Sequence, residues 1–119
     1  MGDAMRLAQS EAGRRLIGLL TIFNRGHERQ MQNYIIDNYT DDALAAQPLT
    51  EILRQYQAMW EQVGKLKVLQ LIAASEYRIV VLTQAQTDGS VYYNDLTVTE
   101  DYPHKIIAFT HGATGEATT

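Results

Sequence analysis

Residues 77–99 read YRIVVLTQAQTDGSVYYNDLTVT, and this stretch decides the fold. On either side of Asp88-Gly89 stands a run rich in Val, Ile, Leu, Thr and Tyr, side chains that suit a pleated, half-buried surface. Asp-Gly is a strong two-residue hairpin signal, because a type I′ turn needs positive φ at both central positions. The expected strands cover 77–87 and 90–99. Two more alternating segments flank them, 65–74 and 104–111, joined through Ser75-Glu76 and Glu100-Asp101-Tyr102-Pro103. Together they read as a four-stranded antiparallel meander.

Ahead of Lys65 the period is helical. Ala12, Leu16, Leu19, Leu20 and Phe23 recur at helical spacing, with Arg14 and Arg15 on another face. That pattern predicts a helix from Ser10, its N-cap, to Asn24, with Gly26 in the left-handed turn beyond. A second helix is expected at 27–38, with Met31, Tyr34, Ile35 and Asn38 facing inward. Asp41 is expected to cap a short helical turn at 42–46, which Pro48 stops. Thr50 is expected to cap a third helix, whose stripe is Ile52, Leu53, Tyr56, Met59, Trp60 and Val63, with Gly64 ending it. The fold class is therefore α+β: three N-terminal helices packed on a curved four-stranded antiparallel sheet. Residues 1–9 read as a disordered or helical extension, 10–111 as the domain, and the small, polar run 112–119 as a flexible tail or linker.

Composition narrows the function classes. The chain has 119 residues, 45% hydrophobic and 20% charged, enough for one core without covalent staples. It has no cysteine, which removes disulfides, thiolate metal sites and cysteine nucleophiles together. A formal net charge of -4 argues against nucleic acid, whose phosphates call for a basic surface. No apolar run approaches the ~20 residues of a membrane span. Met1–Arg6 shows no basic segment leading into an apolar core, so the expected location is cytoplasmic.

Turn lengths predict the register, and the register predicts the faces. A two-residue turn at Asp88-Gly89 pairs Ala85 with Tyr92, Thr83 with Asn94, Val81 with Leu96 and Ile79 with Val98. A four-residue turn at Glu100–Pro103 pairs Leu96 with Ile107, Asn94 with Phe109 and Tyr92 with His111. A turn at Ser75-Glu76 sets Ile72 opposite Ile79 and Gln70 opposite Val81. One face then carries Ile72, Ile79, Val81, Leu96, Ile107 and Phe109 under the helices, and at one end Gln70, Thr83, Asn94, Tyr92 and His111. Polar groups under helices need partners, so they form either an internal network or a wet pocket. The opposite face carries Leu69, Leu71, Val80, Leu82, Tyr93 and Ile106, too apolar for full exposure, and predicts a homodimer.

Three helices followed by an antiparallel sheet resemble the nuclear transport factor 2-like (SnoaL-like, cystatin-like) superfamily. Ala12-Gly13-Arg14-Arg15-Leu16, Phe23-Asn24-Arg25-Gly26 and Pro103-His104-Lys105-Ile106-Ile107 look like segments of bacterial accessory domains found ahead of serine hydrolases or tail-specific proteases. The likeness spans about residues 11–111. It implies a cone whose sheet wraps a pocket and whose outer surface dimerises. The superfamily includes isomerases, dehydratases and polyketide cyclases beside non-catalytic binding modules. Its isomerases and cyclases place an acidic base in the pocket. Here Asp95, the acidic residue of the third strand, falls on the outer face, which departs from that pattern.

The expected ligand pocket is thus Gln70, Thr83, Asn94, Tyr92, Phe109 and His111, lidded by Tyr56 and Trp60, for a small apolar ligand. His111 with Tyr92 is the best catalytic pair, since a neutral imidazole can take a proton and a phenol can polarise a carbonyl. The same two residues also read as a cross-strand pair at a sheet end. A non-catalytic pocket or dimerisation domain is the leading expectation. A small cyclase, isomerase or hydratase using His111 and Tyr92 is the alternative, and a cone filled by Trp60 and Phe109 is a third. No metal or cofactor is expected. The Asp37/Asp41/Asp42 group fits no calcium loop, His27 and His104 fall in turns, and there is no H-x-x-x-H spacing, phosphate loop or G-x-S-x-G elbow.

Overall fold

The computed structural model describes residues 6–114. Helix α1 (Glu11–Arg25) is followed by α2 (Glu28–Asn38), α3 (Asp41–Ala46) and α4 (Leu49–Val63), and then by β1 (Leu66–Ala74), β2 (Arg78–Ala85), β3 (Val91–Val98) and β4 (Ile106–Ala113). The strands form one antiparallel sheet in the order β1-β2-β3-β4. Among the described residues no helix is long and apolar enough to cross a membrane. The α+β class and the meander are as the alternation predicted.

Helix α1 is the centre of the packing. Ser10 Oγ accepts the Gly13 N–H at 2.9 Å, and Gly26 closes the other end at φ 70°, donating its N–H to Phe23. Its buried face is Ala12, Leu16, Leu19, Leu20 and Phe23, laid against β1, β2 and β3. Asn24 ties the end of α1 to the sheet. Its side chain donates to the Leu66 carbonyl at 2.9 Å and accepts the Leu66 N–H at 2.8 Å, as a neighbouring strand would. Arg15 ties the other flank, donating to the carbonyls of Pro103 and His104 and to Asn38 Oδ1. Leu7, from the segment read as an extension, is buried in the same core.

Two caps differ from expectation. Thr40 Oγ1, and not Asp41, accepts the Ala43 N–H that opens α3. Helix α4 begins at Leu49, with Pro48 as its N-cap, so Thr50 lies inside it. The Pro48 carbonyl (φ -60°, ψ 151°) accepts the N–H groups of Glu51 and Ile52, and no side chain caps this end of the helix.

The hairpins differ in register, and the reason is local. Only Gly89 of the Asp88-Gly89 pair has positive φ (78°), so no type I′ turn forms. Asp88 instead accepts the Ser90 N–H on its carboxylate at 2.9 Å, and the loop closes from Ala85 to Ser90. Thr83 therefore faces Tyr92, Val81 faces Asn94 and Ile79 faces Leu96, a slip of two from the predicted pairs. A slip of two keeps every side chain on its face. The β3–β4 pairing slips likewise, so that Asn94 faces His111 and Leu96 faces Phe109.

Bulges, by contrast, do exchange faces. Strand β1 carries two, between Val68 and Gln70 and between Leu71 and Ala73, and β4 is irregular where Ile106 pairs with Val98. One extra residue flips the alternation beyond it. Leu71 and Ile106, expected on the dimer face, are in the core, whereas Gln70, Ile72 and Ile107, expected inside, are exposed. Strand β4 also continues through Gly112 and Ala113, which had read as tail, while 1–5 and 115–119 lie outside the described residues.

Candidate functional site

On β2, β3 and β4 the polar end of the inner face condenses into a chain of three side chains. Thr83 and Asn94 are both 0% exposed. Asn94 Nδ2 donates to Thr83 Oγ1 at 2.7 Å, and Asn94 Oδ1 lies 2.8 Å from His111 Nδ1. With the amide so oriented, its oxygen accepts from the imidazole, which puts the ring proton on Nδ1. Nε2 is then an unprotonated acceptor. It is buried, and it is the one buried side-chain nitrogen or oxygen among the described residues without a hydrogen-bond partner. Burial also holds the His111 pKa below its ordinary value, which keeps the ring neutral.

Tyr92 stacks on the other side of this ring, with centroids 4.8 Å apart and an interplanar angle of 18°. The two side chains thus pack face to face, and Tyr92 lines none of the cavities described below.

His111 lines a cavity of about 500 Å³ between α3, α4 and β4. Tyr39, Ile52, Tyr56, Met59 and Phe109 form much of its wall, and none of its described lining residues is a carboxylate, lysine or arginine. Tyr56 stacks on Phe109 at 5.9 Å, and its hydroxyl lies 2.6 Å from that of Tyr39. Burial pushes the Tyr39 phenol up to about 12, and Tyr56 is raised well above the ordinary value by burial and by Tyr39 beside it. Both stay neutral at physiological pH. The pair holds two O–H protons and uses one between its members. The second has no protein acceptor among the described residues. The cavity wall is thus uncharged but polar in places: Gln47, Gln55 and Thr110 line it beside His111 and the tyrosine pair.

Of the residues predicted for the pocket, Phe109, His111 and Tyr56 line this cavity, and Thr83 and Asn94 support His111 from beneath. Gln70 is exposed on β1, removed from the inner face by the first bulge. Trp60 lines a separate cleft on the far side of Tyr56. Tyr39 was not expected in the wall. Its one sequence signal was its place where α2 ends, since the isolated bridge that pins it to Ile106 is a tertiary contact.

Asp95 lies on the outer face, held by Arg78 through two bonds of 3.1 and 2.7 Å. Elsewhere on the sheet Leu69 is 42% exposed, Ile72 51% and Ile107, which also lines the His111 cavity, 47%, and Tyr93 packs over Gly112. A Cβ at Gly112 would stand 2.7 Å from that ring, so the bare glycine is what lets Tyr93 lie flat. His27 and His104 form no metal site, and among the described residues no three His, Asp or Glu side chains are grouped to hold an ion. No protein-family model, curated protein or solved structure matches the chain.

Proposed function

We propose that the chain is a non-catalytic pocket domain of the nuclear transport factor 2-like kind. It binds a small, mostly apolar molecule between α3, α4 and β4, and pairs with a second copy through its outer sheet face. The ligand reading is carried by an uncharged cavity whose wall includes His111. The buried Nε2 acceptor of this residue lacks a protein partner, and a ligand would reach it by a small shift of the ring. An unmet buried acceptor costs about 1–3 kcal/mol, which an N–H or O–H of a ligand recovers. The spare tyrosine proton favours a ligand that also bears a carbonyl-type oxygen. A volume of about 500 Å³ falls within the roughly 300–1,000 Å³ of small-molecule sites.

Binding is favoured over acid–base catalysis by the lack of a carboxylate in the wall and by a histidine whose basicity burial lowers. An accessory role beside a hydrolase suits a domain that binds without reacting. Fragment titration followed by NMR tests the reading. Hydroxylated or amide-bearing aromatic fragments are expected to shift the His111 ring signals and those of Phe109. His111→Phe, which keeps the stack on Tyr92 and removes the acceptor, should weaken them about tenfold. Equal binding to the variant, or shifts confined to other surfaces, rejects it.

Leu69, Ile72 and Tyr93, exposed apolar side chains of β1 and β3, support the dimer. Sedimentation velocity at high micromolar concentration should give a dimer, and Leu69→Lys a monomer. A monomeric parent chain rejects the pairing and leaves the pocket reading intact.

A further inference from the structure

A second cleft, of about 210 Å³, opens between the C-terminal ends of α1 and α4 and the start of α2. Its walls include Phe23, Tyr56, Trp60 and Met31, with Glu28 and Glu61 among the lining residues. Phe23 meets Trp60 at 5.8 Å and 77° and Tyr56 at 6.3 Å and 55°, so the three rings form an angled corner and not a parallel stack. Gly26, at φ 70°, seats the indole: a Cβ there would stand 2.6 Å from Trp60 Cζ2.

The permanent charge lining this corner is negative. Two carboxylates line it, and His27 is the one basic side chain among the described lining residues, with no lysine or arginine there. Arg25 and Arg29 adjoin lining residues in sequence without lining the cleft themselves, and the Arg25 guanidinium donates to Gln30. The last turns of α1 and α4 add the partial negative charge of helix C-termini. Glu28, in the first turn of α2, offsets the one positive helix end present.

We infer that this cleft is a binding site for a small alkylammonium cation. Aromatic faces attract a cation through the ring quadrupole, and carboxylates at the rim complete the neutralisation. A bare metal ion is a poor fit, because no three ligating side chains are grouped there or elsewhere among the described residues. A primary ammonium is strongly hydrated and would surrender that water to an apolar wall. A quaternary head spreads its charge over methyl groups and suits the half-buried Trp60 indole, which Phe23 and Tyr56, 3% and 5% exposed, back from the core. The volume lies below the roughly 300–1,000 Å³ of drug-sized sites, which restricts the occupant to a small head group.

Trp60 is the only tryptophan in the chain, so its emission reports on this cleft directly. Choline is titrated into the full chain at pH 8 by fluorescence and calorimetry, against 3,3-dimethylbutan-1-ol, its uncharged isostere. Choline should bind saturably and about tenfold more tightly than the alcohol. The Glu28→Gln/Glu61→Gln variant, altered at two exposed positions, should lose no more than about 4 °C in melting temperature, the worth of Glu28 at the start of α2. It should bind choline about threefold or more weakly and the alcohol unchanged. Equal affinity for the two isosteres, an unaltered double variant, or no saturable response to choline overturns the inference. His111→Phe should leave choline binding unchanged, which separates this cleft from the larger cavity.

Discussion

Thr83→Val is the sharpest probe of the buried relay. Valine keeps the shape of threonine and deletes the oxygen that accepts Asn94 Nδ2 at 2.7 Å. Both residues are 0% exposed, so water cannot replace the lost partner without an opening of the sheet face. A buried amide donor left unmet costs about 1–3 kcal/mol, and a methyl in place of a hydroxyl offsets part of that, leaving about 1–2 kcal/mol. For 119 residues at about 2.1 cal/mol/K each, the unfolding entropy is about 0.25 kcal/mol/K, so the melting temperature should fall by about 4–8 °C. Asn94→Leu on the same background then removes the orphaned amide. The double variant should be about 1–2 kcal/mol more stable than the sum of the two single losses implies. Urea unfolding of the four proteins measures this coupling. Additivity within about 0.5 kcal/mol would show that Thr83 and Asn94 do not act as a pair.

Stability should also depend on pH through His111. Burial lowers its folded pKa, so the unfolded chain binds the proton first; the contribution is full above the ordinary value of 6.5 and is lost as pH falls below it toward the folded pKa. Thermal melts between pH 5 and pH 7.5 should therefore slope less steeply for His111→Phe than for the parent chain, and parallel slopes would contradict the burial. Gly26→Ala should cost about 1–2 kcal/mol for left-handed backbone alone and shift the Trp60 emission maximum by displacing the indole; unmoved emission would refute the contact. Asp95→Asn should alter stability by under about 1 kcal/mol, as for other exposed ion pairs, and leave fragment binding at His111 untouched. A binding defect in that variant would place Asp95 in the pocket chemistry after all.

How much of this was readable depends on whether a feature is local. The ends of α1 follow from Ser10 and Gly26, whose own side chain and backbone do the capping. At α3 two neighbouring residues were both fit to cap, and only the path of the chain past Ile106, where the Thr40 N–H donates to the Ile106 carbonyl, made Thr40 the one. Thr83, Asn94, Tyr92 and His111 were correctly placed on one face even though their pairings were two residues off, because parity survives an even slip. Leu71, Ile72, Ile106 and Ile107 were inverted because a bulge is an odd slip, and the three bulged positions carry ordinary strand residues with nothing in their composition to mark them. The cavity itself depends on how far α4 stands from β4. That distance is set by the Tyr56–Phe109 stack, a contact between residues 53 positions apart in the chain.

The bulges in β1 have a consequence for solubility. A meander has two border strands, and a long straight border offers unpaired N–H and C=O groups on which a foreign strand can grow into an aggregate. Here β1 and β4 are those borders. The two bulges in β1 interrupt its hydrogen-bonding rhythm twice within nine residues, so no straight template longer than a few residues remains. On β4 the start of the border is occupied by the chain itself, since Tyr39 bridges Ile106 and the Thr40 N–H takes its carbonyl at 3.0 Å. The sheet is thus blunted along its β1 margin and covered at the start of its β4 margin against growing sideways into a fibril.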